Sequence, residues 1–227
     1  MSAKFGHANV KSTWQGIKTM SNQGCLAFGT SETNGLKARA AKLVGYEPLF
    51  GGFDHPDRRS ADTAVFRKKS LRPAGIMGFQ IADPSHPSKV AGLPRFASAQ
   101  FFRAPGLGLI GFWELHLHYI GKAASKPHTD RVEKTHDGMK DMVVLLKAFE
   151  QIGISNIVVG DFNTQEETAT PGWMDAWDML NALNFRILDQ GIDGVGISPR
   201  LNFDGGLKRI TKQLLKSDHD GFRFRVK

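Results

Sequence analysis

The stretch from Ile157 to Asn163 constrains what this chain can fold into more than any other. Its first residues, Ile157 to Val159, are β-branched and predict a strand buried on both faces. Gly160 lets the backbone bend there, and Asp161 and Asn163 follow two residues apart, able to point the same way. An acid and an amide after a buried strand occupy the place where α/β enzymes usually keep their reactive groups. An Asx turn that closes an ordinary strand would explain the same residues.

The charge of the chain indicates the kind of partner it binds. The 227 residues include 30 Lys and Arg against 22 Asp and Glu, which gives a formal net charge of +8. This excess favours a polyanionic partner, with nucleic acid first and an anionic membrane surface second. A basic surface with no such partner would give the same charge.

The sequence also favours a cytoplasmic protein. No apolar run is long enough to span a membrane, and residues 1–10 lack the apolar stretch of a signal peptide. The single cysteine, Cys25, excludes a disulfide framework and fits a reducing compartment. No repeat or linker divides the chain, so we expect one domain over residues 1–227, and we expect a monomer.

Periodicity and turn residues predict a mixture of strands and helices. Strands are predicted over Lys4–Ser12, Cys25–Phe28, Thr63–Arg67, Arg95–Arg103, Leu107–Tyr119, Ile157–Val159, Ile192–Ile197 and Phe222–Val226. Helices are predicted over Leu36–Val44, Thr129–Gln151 and Pro171–Leu183. Composition predicts a polar connection over residues 13–24, a loop over Phe50–Ser60 and irregular or weakly stranded structure over Gly75–Ala91.

Polar side chains collect at the ends of these predicted strands. They are Asn9, Glu32, His116, Asp161, Asn163, Asp193, Asp218 and His219. Oxygen ligands with few soft donors suit Mg²⁺ or Mn²⁺. The two histidines add an acid and a base, or donors to a phosphate. A carboxylate beside each histidine would fix its tautomer and raise its pKa.

The order of these groups resembles that of the endonuclease/exonuclease/phosphatase superfamily. That superfamily includes pancreatic deoxyribonuclease, exonuclease-III-type repair endonucleases, sphingomyelinases and inositol-polyphosphate 5-phosphatases. The segments Gly160-Asp161-Phe162-Asn163 and Ser217-Asp218-His219 are specific as a pair, and the resemblance extends from Asn9 to Val226. It implies an α/β fold, a four-layer sandwich in which two mixed β-sheets pack face to face with the helices outside. It also implies metal-dependent hydrolysis of phosphodiester bonds, with DNA or RNA as the expected substrate.

The resemblance implies a role for each acid and amide of the set. Glu32 resembles the metal-binding glutamate of the superfamily, with Asn9 and Asp218 in support. Asp161 is similar to the aspartate that orients or deprotonates the attacking water. Asn163 is similar to the amide that contacts the scissile phosphate.

The histidines match the superfamily in the same way. His219 resembles its phosphate-side histidine, and Asp193 resembles the carboxylate partner of that residue. His116 is similar to the second histidine. Asp62 is assigned as the acid facing His116 only because it stands immediately before a predicted strand.

Three residues depart from the superfamily pattern. Glu114 stands two residues before His116, where a neutral polar residue is common, and strand alternation places it on the same face. It either adds negative charge to the site or is solvated. Ser31 replaces a glutamine before the metal glutamate, and Gly194 replaces a bulkier residue after the aspartate.

Other functions fit parts of the sequence. His116 and His118 have the spacing of two zinc ligands on one strand face, and Asp161 would be a third. A non-catalytic nucleic-acid-binding module, or an enzyme acting on a small phosphoester or phospholipid head group, would also fit. Three basic stretches are candidates for backbone contacts with a nucleic acid: Arg58–Arg59, Arg67–Arg72 and Lys208–Lys216.

Overall fold

A computed structural model describes residues 2–51, 62–82, 95–117, 126–163 and 176–227. Within these ranges the strands are β1 (Ala3–Asn9), β2 (Ala27–Ser31), β3 (Tyr46–Phe50), β4 (Thr63–Lys68), β5 (Pro73–Ala82), β6 (Arg95–Ala104), β7 (Gly108–His116), β8 (Ser155–Asp161), β9 (Arg186–Gln190), β10 (Asp193–Ile197), β11 (Lys208–Ile210) and β12 (Gly221–Val226). The helices are α1 (Trp14–Ser21), α2 (Lys37–Ala40), α3 (Lys126–Gln151), α4 (Ala176–Asn181) and α5 (Lys212–Leu215). None of these helices is both long and apolar enough to cross a membrane.

The strands form two mixed sheets of six strands each. The first sheet has the order β11-β12-β1-β2-β4-β3, and the second has the order β5-β6-β7-β8-β10-β9. Each contains one parallel pair, β1 with β2 in the first sheet and β7 with β8 in the second. Parallel neighbours end at the same edge of a sheet, so the residues that follow these four strands are brought to the sheet edges together.

An apolar layer joins the inner faces of the two sheets. Phe5, Phe222 and Phe224 of the first sheet pack against Phe112 and Val159 of the second. All five side chains are buried, and Phe5 stacks on Phe112 with ring centroids 5.7 Å apart. Sheets packed in this way lie about 10 Å apart. Polar residues at the rim of this layer are therefore within reach of the opposite sheet.

Helices cover the outer faces of both sheets. Helix α1 packs Ile17 and Met20 against the outer side of the first sheet. Helix α3 packs Met139, Met142 and Leu146 against the outer side of the second. The four-layer α/β sandwich predicted from the sequence is confirmed.

Several local predictions were wrong or incomplete, and the causes can be identified. Residues 73–82 form strand β5, with register shifts near both ends, where irregular or weakly stranded structure was predicted from Gly75 onward. Met77, Phe79 and Ile81 alternate along β5 and pack on the α3 side of the sheet, an alternation that the glycines and Pro73 of this segment obscure. Residues 83–91 of that prediction lie outside the described ranges.

The first connection is also more regular than predicted. Helix α1 occupies residues 14–21, where only a polar connection was expected, and the Thr13 hydroxyl accepts a hydrogen bond from the Gly16 amide at its start. Strand β3 was assigned to no element, and the helix predicted over Leu36–Val44 is only the single turn α2. Short elements such as these form because the sheet supplies their contacts, which periodicity within the element does not reveal.

Gly138 sets the distance between α3 and the second sheet. A Cβ at this position would overlap the carbonyl oxygen of Ile81 in β5 and lie 2.5 Å from the carbonyl carbon. We expect Gly138→Ala to lower the free energy of unfolding by about 2 kcal/mol or more because the helix must move off the strand. This loss exceeds the ~1 kcal/mol by which alanine favours a helix over glycine.

Urea or thermal unfolding would measure this change. Val144→Ala on the same helix is the control, because Val144 is 68% exposed and its truncation should change stability by less than about 0.5 kcal/mol. Equal stability of the Gly138→Ala protein and the wild type would contradict the close helix–strand contact.

Candidate active site

Strand register brings the predicted site residues to one edge of the two sheets. In the first sheet Asn9 at the end of β1 is opposite Ser31 at the end of β2. In the second sheet Asp161 at the end of β8 is opposite both His116, at the end of β7, and Asp193, at the start of β10. The residues meet because parallel strands end together and an antiparallel strand begins where they end.

Asn9 connects the acids of the two sheets. Its side-chain amide donates to Glu32 Oε1 at 2.8 Å and to Asp161 Oδ2 at 3.2 Å. Its carbonyl oxygen accepts a hydrogen bond from the backbone amide of Lys11 at 3.1 Å. The sequence predicted Asn9, Glu32 and Asp161 to lie together, and the structure places them in one hydrogen-bonded group.

Two residues of the site have left-handed backbone conformations. Glu32 has φ of 54° and Asn163 has φ of 50°. Asparagine adopts this region readily, whereas glutamate does so at a cost, and such strain is concentrated at functional sites. The Asn163 amide donates to Asp161 Oδ1 at 3.0 Å, so the Asx turn considered for this stretch is present. The side-chain amide of Asn163 donates to the carbonyl oxygen of Leu117 at 2.8 Å.

His219 and Asp193 form a hydrogen-bonded dyad. The His219 Nδ1 atom lies 3.0 Å from Asp193 Oδ2 and 3.8 Å from Asp161 Oδ2. The hydrogen bond with Asp193, opposed by burial and assisted by the charges of Asp193 and Asp161, raises the pKa of His219 to about 9. Burial tends to raise the pKa of Asp193, but hydrogen bonds from His219 and His7 lower it below its usual value. At neutral pH the dyad is an imidazolium paired with a carboxylate.

His116 differs from the sequence prediction in its charge. Its Nδ1 atom lies 3.0 Å from Asp62 Oδ2, as assigned from strand position, but Arg95 contacts both groups. Burial and the charge of Arg95 lower the pKa of His116 to about 4, against the opposing charge of Asp161. The prediction that a neighbouring carboxylate raises the pKa was therefore wrong for His116, because neither the burial of its ring nor the charge of Arg95 was foreseen. His116 is neutral at pH 7.

Glu114 is buried within the site rather than solvated. It has no exposed surface; the Ser31 hydroxyl donates to Glu114 Oε1 at 2.7 Å, and His7 Nδ1 lies 3.0 Å from Glu114 Oε2. Burial raises the pKa of Glu114, and the contacts with His7 and Ser31 oppose this rise. The sequence analysis did not select His7. Strand alternation could have found it, because His7 stands two residues before Asn9 and lies on the same face of β1.

Asp218 is paired with a lysine at the border of the site. Its side chain is 55% exposed and forms an ion pair with Lys11, with 2.6 Å between Lys11 Nζ and Asp218 Oδ2, and it lines the same open cavity as Asp193 and His219. The hydrogen bond from Lys11, opposed by slight burial, lowers the pKa of Asp218. Lys11 follows Asn9 by two residues, so Asp218 borders the site through this lysine.

The donor set fits a hard divalent cation. Within the described ranges, one group of acids and histidine has ligand atoms that all lie within 4.8 Å of one another: Asp161, Asp193 and His219. An ion placed there would have to displace the hydrogen bond between His219 and Asp193. Glu32 and Asp161 add carboxylate oxygens that the Asn9 amide holds next to each other, and oxygen donors suit Mg²⁺ or Mn²⁺. His118, required for the zinc alternative, lies outside the described residues.

The fold has solved counterparts, although the sequence has no close match. No protein-family model matches the chain, and no curated protein matches it in sequence. An endonuclease/exonuclease/phosphatase family protein from Bacteroides thetaiotaomicron is similar over 100% of this chain and 95% of its own, with a TM-score of 0.71 and 17% identity. The human Nocturnin catalytic domain with bound sulfate anion is similar over 100% and 94%, with a TM-score of 0.67 and 13% identity.

A third comparison agrees with these two. Truncated TDP2 from Caenorhabditis elegans is similar over 100% of this chain and 97% of its own, with a TM-score of 0.60 and 15% identity. The chain therefore has the fold of the endonuclease/exonuclease/phosphatase proteins, as the sequence motifs indicated. The similarity extends over the whole chain.

A metal held by this edge should stabilise the folded protein. At Mg²⁺ or Mn²⁺ concentrations ten times the dissociation constant, the stabilisation is about 1.4 kcal/mol, which raises the Tm by roughly 3–6 °C for a chain of this size. We expect Glu32→Gln to reduce this increase, and Asp141→Asn, which changes an exposed acid on α3, to leave it intact. Differential scanning fluorimetry with and without EDTA measures the effect. The same Tm increase in the Glu32→Gln protein would place the ion elsewhere.

Proposed function

We propose that this protein is a Mg²⁺- or Mn²⁺-dependent phosphodiesterase that hydrolyses nucleic acid. The observation that carries the proposal is the meeting of the Asn9–Glu32–Asp161 group with the His219–Asp193 dyad at one edge of the sandwich. The first group can hold a cation and a water, and the dyad can donate to a phosphate. Similar folds occur in proteins named for endonuclease, exonuclease and phosphatase activities.

Glu32 is the residue we assign to the metal, supported by Asn9. The bound metal would supply charge stabilisation of the phosphate and of the leaving oxygen. Asp218 would join the ligand set only by exchanging its ion pair with Lys11 for the ion. The amide of Asn9 fixes one oxygen of Glu32 and one of Asp161, so the spacing of the two carboxylates is set before any ligand arrives.

Asp161 is the base that we assign to the attacking water. Burial and the charge of Asp193 raise its pKa, and the nearby histidines oppose this rise. A carboxylate with a raised pKa accepts a proton more readily than an ordinary aspartate. As the water oxygen bonds to phosphorus, its proton passes to Asp161 and the bond from phosphorus to the leaving oxygen breaks.

The two histidines are assigned to the phosphate oxygens. His219 is protonated, and its Nδ1–H is committed to Asp193, so its Nε2–H is the donor available to a phosphate oxygen. His116 is neutral and contributes a hydrogen bond without adding a second positive charge. Asn163 is assigned to the same phosphate, and its hydrogen bond to Leu117 fixes its orientation.

The dyad predicts a non-additive mutation pattern. Asp193→Asn and His219→Ala should each lower kcat by about 10²–10⁴-fold, the usual contribution of a positioned proton donor, with a smaller effect on KM. The double variant should be little worse than either single one because each change disables the same unit. Steady-state kinetics on a plasmid-nicking substrate measures all three proteins. Multiplied losses would show that the two residues act independently.

A polyanionic substrate is supported by the placement of the basic residues. Lys208 and Arg223 are directly opposite each other on β11 and β12, and Lys4 is directly opposite Arg225 on β1 and β12. Like charges in directly opposed positions destabilise a sheet. They border a cavity of about 90 Å³ on the surface of the first sheet, to which Asp204 contributes an acidic side chain. An anionic ligand would relieve this repulsion.

The basic stretch Arg67–Arg72 offers fewer charges to a substrate than its sequence suggested. Arg67 is buried and forms an ion pair with Glu47, so it is not available to a substrate. Lys69 and Arg72 of the same stretch are exposed, and Arg58–Arg59 lies outside the described residues. At the site itself Arg209 pairs with Asp220 and borders an open cavity that Asp193 and His219 also line.

Binding should depend steeply on salt if the substrate is held by its backbone. Each phosphate contact contributes roughly 0.9 to the slope of log affinity against log salt on duplex DNA. We expect Lys208→Gln/Arg223→Gln to lower that slope by about 1–2, and Lys42→Gln, which removes an exposed charge elsewhere, to leave it unchanged. The measurement is fluorescence anisotropy of metal-free Asp161→Asn protein with labelled duplexes and single strands.

The same binding measurements distinguish a nucleic-acid substrate from other substrates. No binding at low salt, together with turnover of a small phosphodiester, would show that the protein acts on a small ester or a phospholipid head group. Activity that survives EDTA, or that returns only with Zn²⁺, would contradict the assigned metal.

A further inference from the structure

A buried histidine outside the assigned catalytic set links the dyad to the interior of the sandwich. His7 on β1 has no exposed surface and lies between two carboxylates. Its Nδ1 atom is 3.0 Å from Glu114 Oε2, and its Nε2 atom is 3.0 Å from Asp193 Oδ1. The contacts cross from the first sheet to the second, because Glu114 is on β7 and Asp193 is on β10.

The His7 ring bridges two buried carboxylates. Each ring nitrogen faces one carboxylate oxygen, so both nitrogens are committed to hydrogen bonds within the sandwich. Burial alone would lower the pKa of His7, but the charge of Glu114 and hydrogen bonds with Asp193 and Glu114 raise it to about 10. Burial also raises the pKa of Glu114, and the charge of His7 and its hydrogen bond oppose that rise.

Asp193 is held from both sides by this arrangement. Its Oδ1 atom accepts from His7, and its Oδ2 atom accepts from His219. With each oxygen committed to a different ring, rotation of the carboxylate would break both hydrogen bonds. The orientation of the dyad is therefore set by a residue that the reacting phosphate does not touch.

Small residues on β2 leave space for Glu114, which contacts His7 on the side opposite Asp193. A Cβ at Gly29 would overlap Glu114 Oε2 and lie 2.8 Å from Glu114 Cδ. Ser31, two residues later on β2, donates to Glu114 Oε1 at 2.7 Å. The small residues on β2 thus leave space for a carboxylate and bond its second oxygen.

We propose that His7 is a positioning residue that holds Asp193, through Oδ1, in the orientation in which Oδ2 bonds His219. Glu114 and Ser31 in turn hold His7. This inference rests on the proposed function, in which His219 donates to the phosphate. A purely stabilising role is the competing explanation, but a buried ion pair is often no more stabilising than apolar residues of the same volume. Removing the pair as a unit therefore separates the two roles.

The test is the double variant His7→Met/Glu114→Leu, which removes both charges together and keeps side-chain volume close to that of the wild type. We expect kcat to fall about 10–100-fold, the usual cost of losing a residue that orients a catalytic group, with KM nearly unchanged. In an Asp193→Asn background the same double change should lower kcat little further. Gln100→Met is the control: it removes a different buried polar side chain between the sheets, so it should lower Tm without lowering kcat.

A second readout does not depend on activity. In ¹⁵N-labelled protein the His219 Nδ1–H should give a slowly exchanging downfield proton signal because it is hydrogen-bonded to Asp193. This signal should broaden or disappear in His7→Met/Glu114→Leu and persist in Gln100→Met. An unchanged His219 signal, or a loss of kcat that multiplies with that of Asp193→Asn, would overturn the inference.

The two readouts separate this inference from the proposed function. If the wild-type protein shows no phosphodiesterase turnover, the proposed function fails, and the NMR signal of His219 alone decides the role of His7. If the variant retains the wild-type kcat while the wild type is active, the positioning role fails and the proposed function stands.

Discussion

The site depends on the apolar layer between the two sheets. Phe5, Phe112 and Phe224 stack in that layer and fix how closely β1 approaches the second sheet. Asn9 and His7 lie farther along the same face of β1, and at this separation their side chains reach Asp161 and Asp193. A looser interior would leave these polar groups without partners, and a buried polar group without a partner costs about 1–3 kcal/mol. The packing of the aromatic layer therefore determines whether the polar residues of the site reach their partners.

The electrostatics of the site follow from which groups are paired. His219 is charged because its Nδ1–H donates to Asp193, whereas His116 is neutral because burial and the charge of Arg95 lower its pKa. Two histidines at one sheet edge therefore have pKa values on opposite sides of neutrality. Such a separation gives a site one charged donor and one neutral donor without any change of residue type.

The sequence predicted the site residues better than it predicted the local structure. Asp161, Asp193 and His219 stand at strand ends, and short motifs at strand ends can be read without knowing how the strands pair. Strand β3 was missed and β5 was predicted only as irregular or weakly stranded, because Pro48 in β3 and the glycines of β5 match loop composition; pairing with β4 and β6 makes both segments strands. Arg95 and His7 were missed for a different reason. Alternation along β1 places His7 on the same face as Asn9, but the partners of Arg95 and His7 lie 33 and 186 residues away, and no local pattern identifies those partners.

The position of β1 affects the order in which the site is assembled during translation. Ala3 pairs with Val226 across β1 and β12, so β1 has as its antiparallel neighbour a strand that is synthesised much later. Asn9 meets Asp161 only after 152 further residues have been made, and the histidine of the dyad comes later still. A chain that has grown only as far as β10 lacks both His219 and the strand β12 that pairs with β1. The group of polar residues at the sheet edge is therefore completed only after the whole stretch from β1 to His219 has been made.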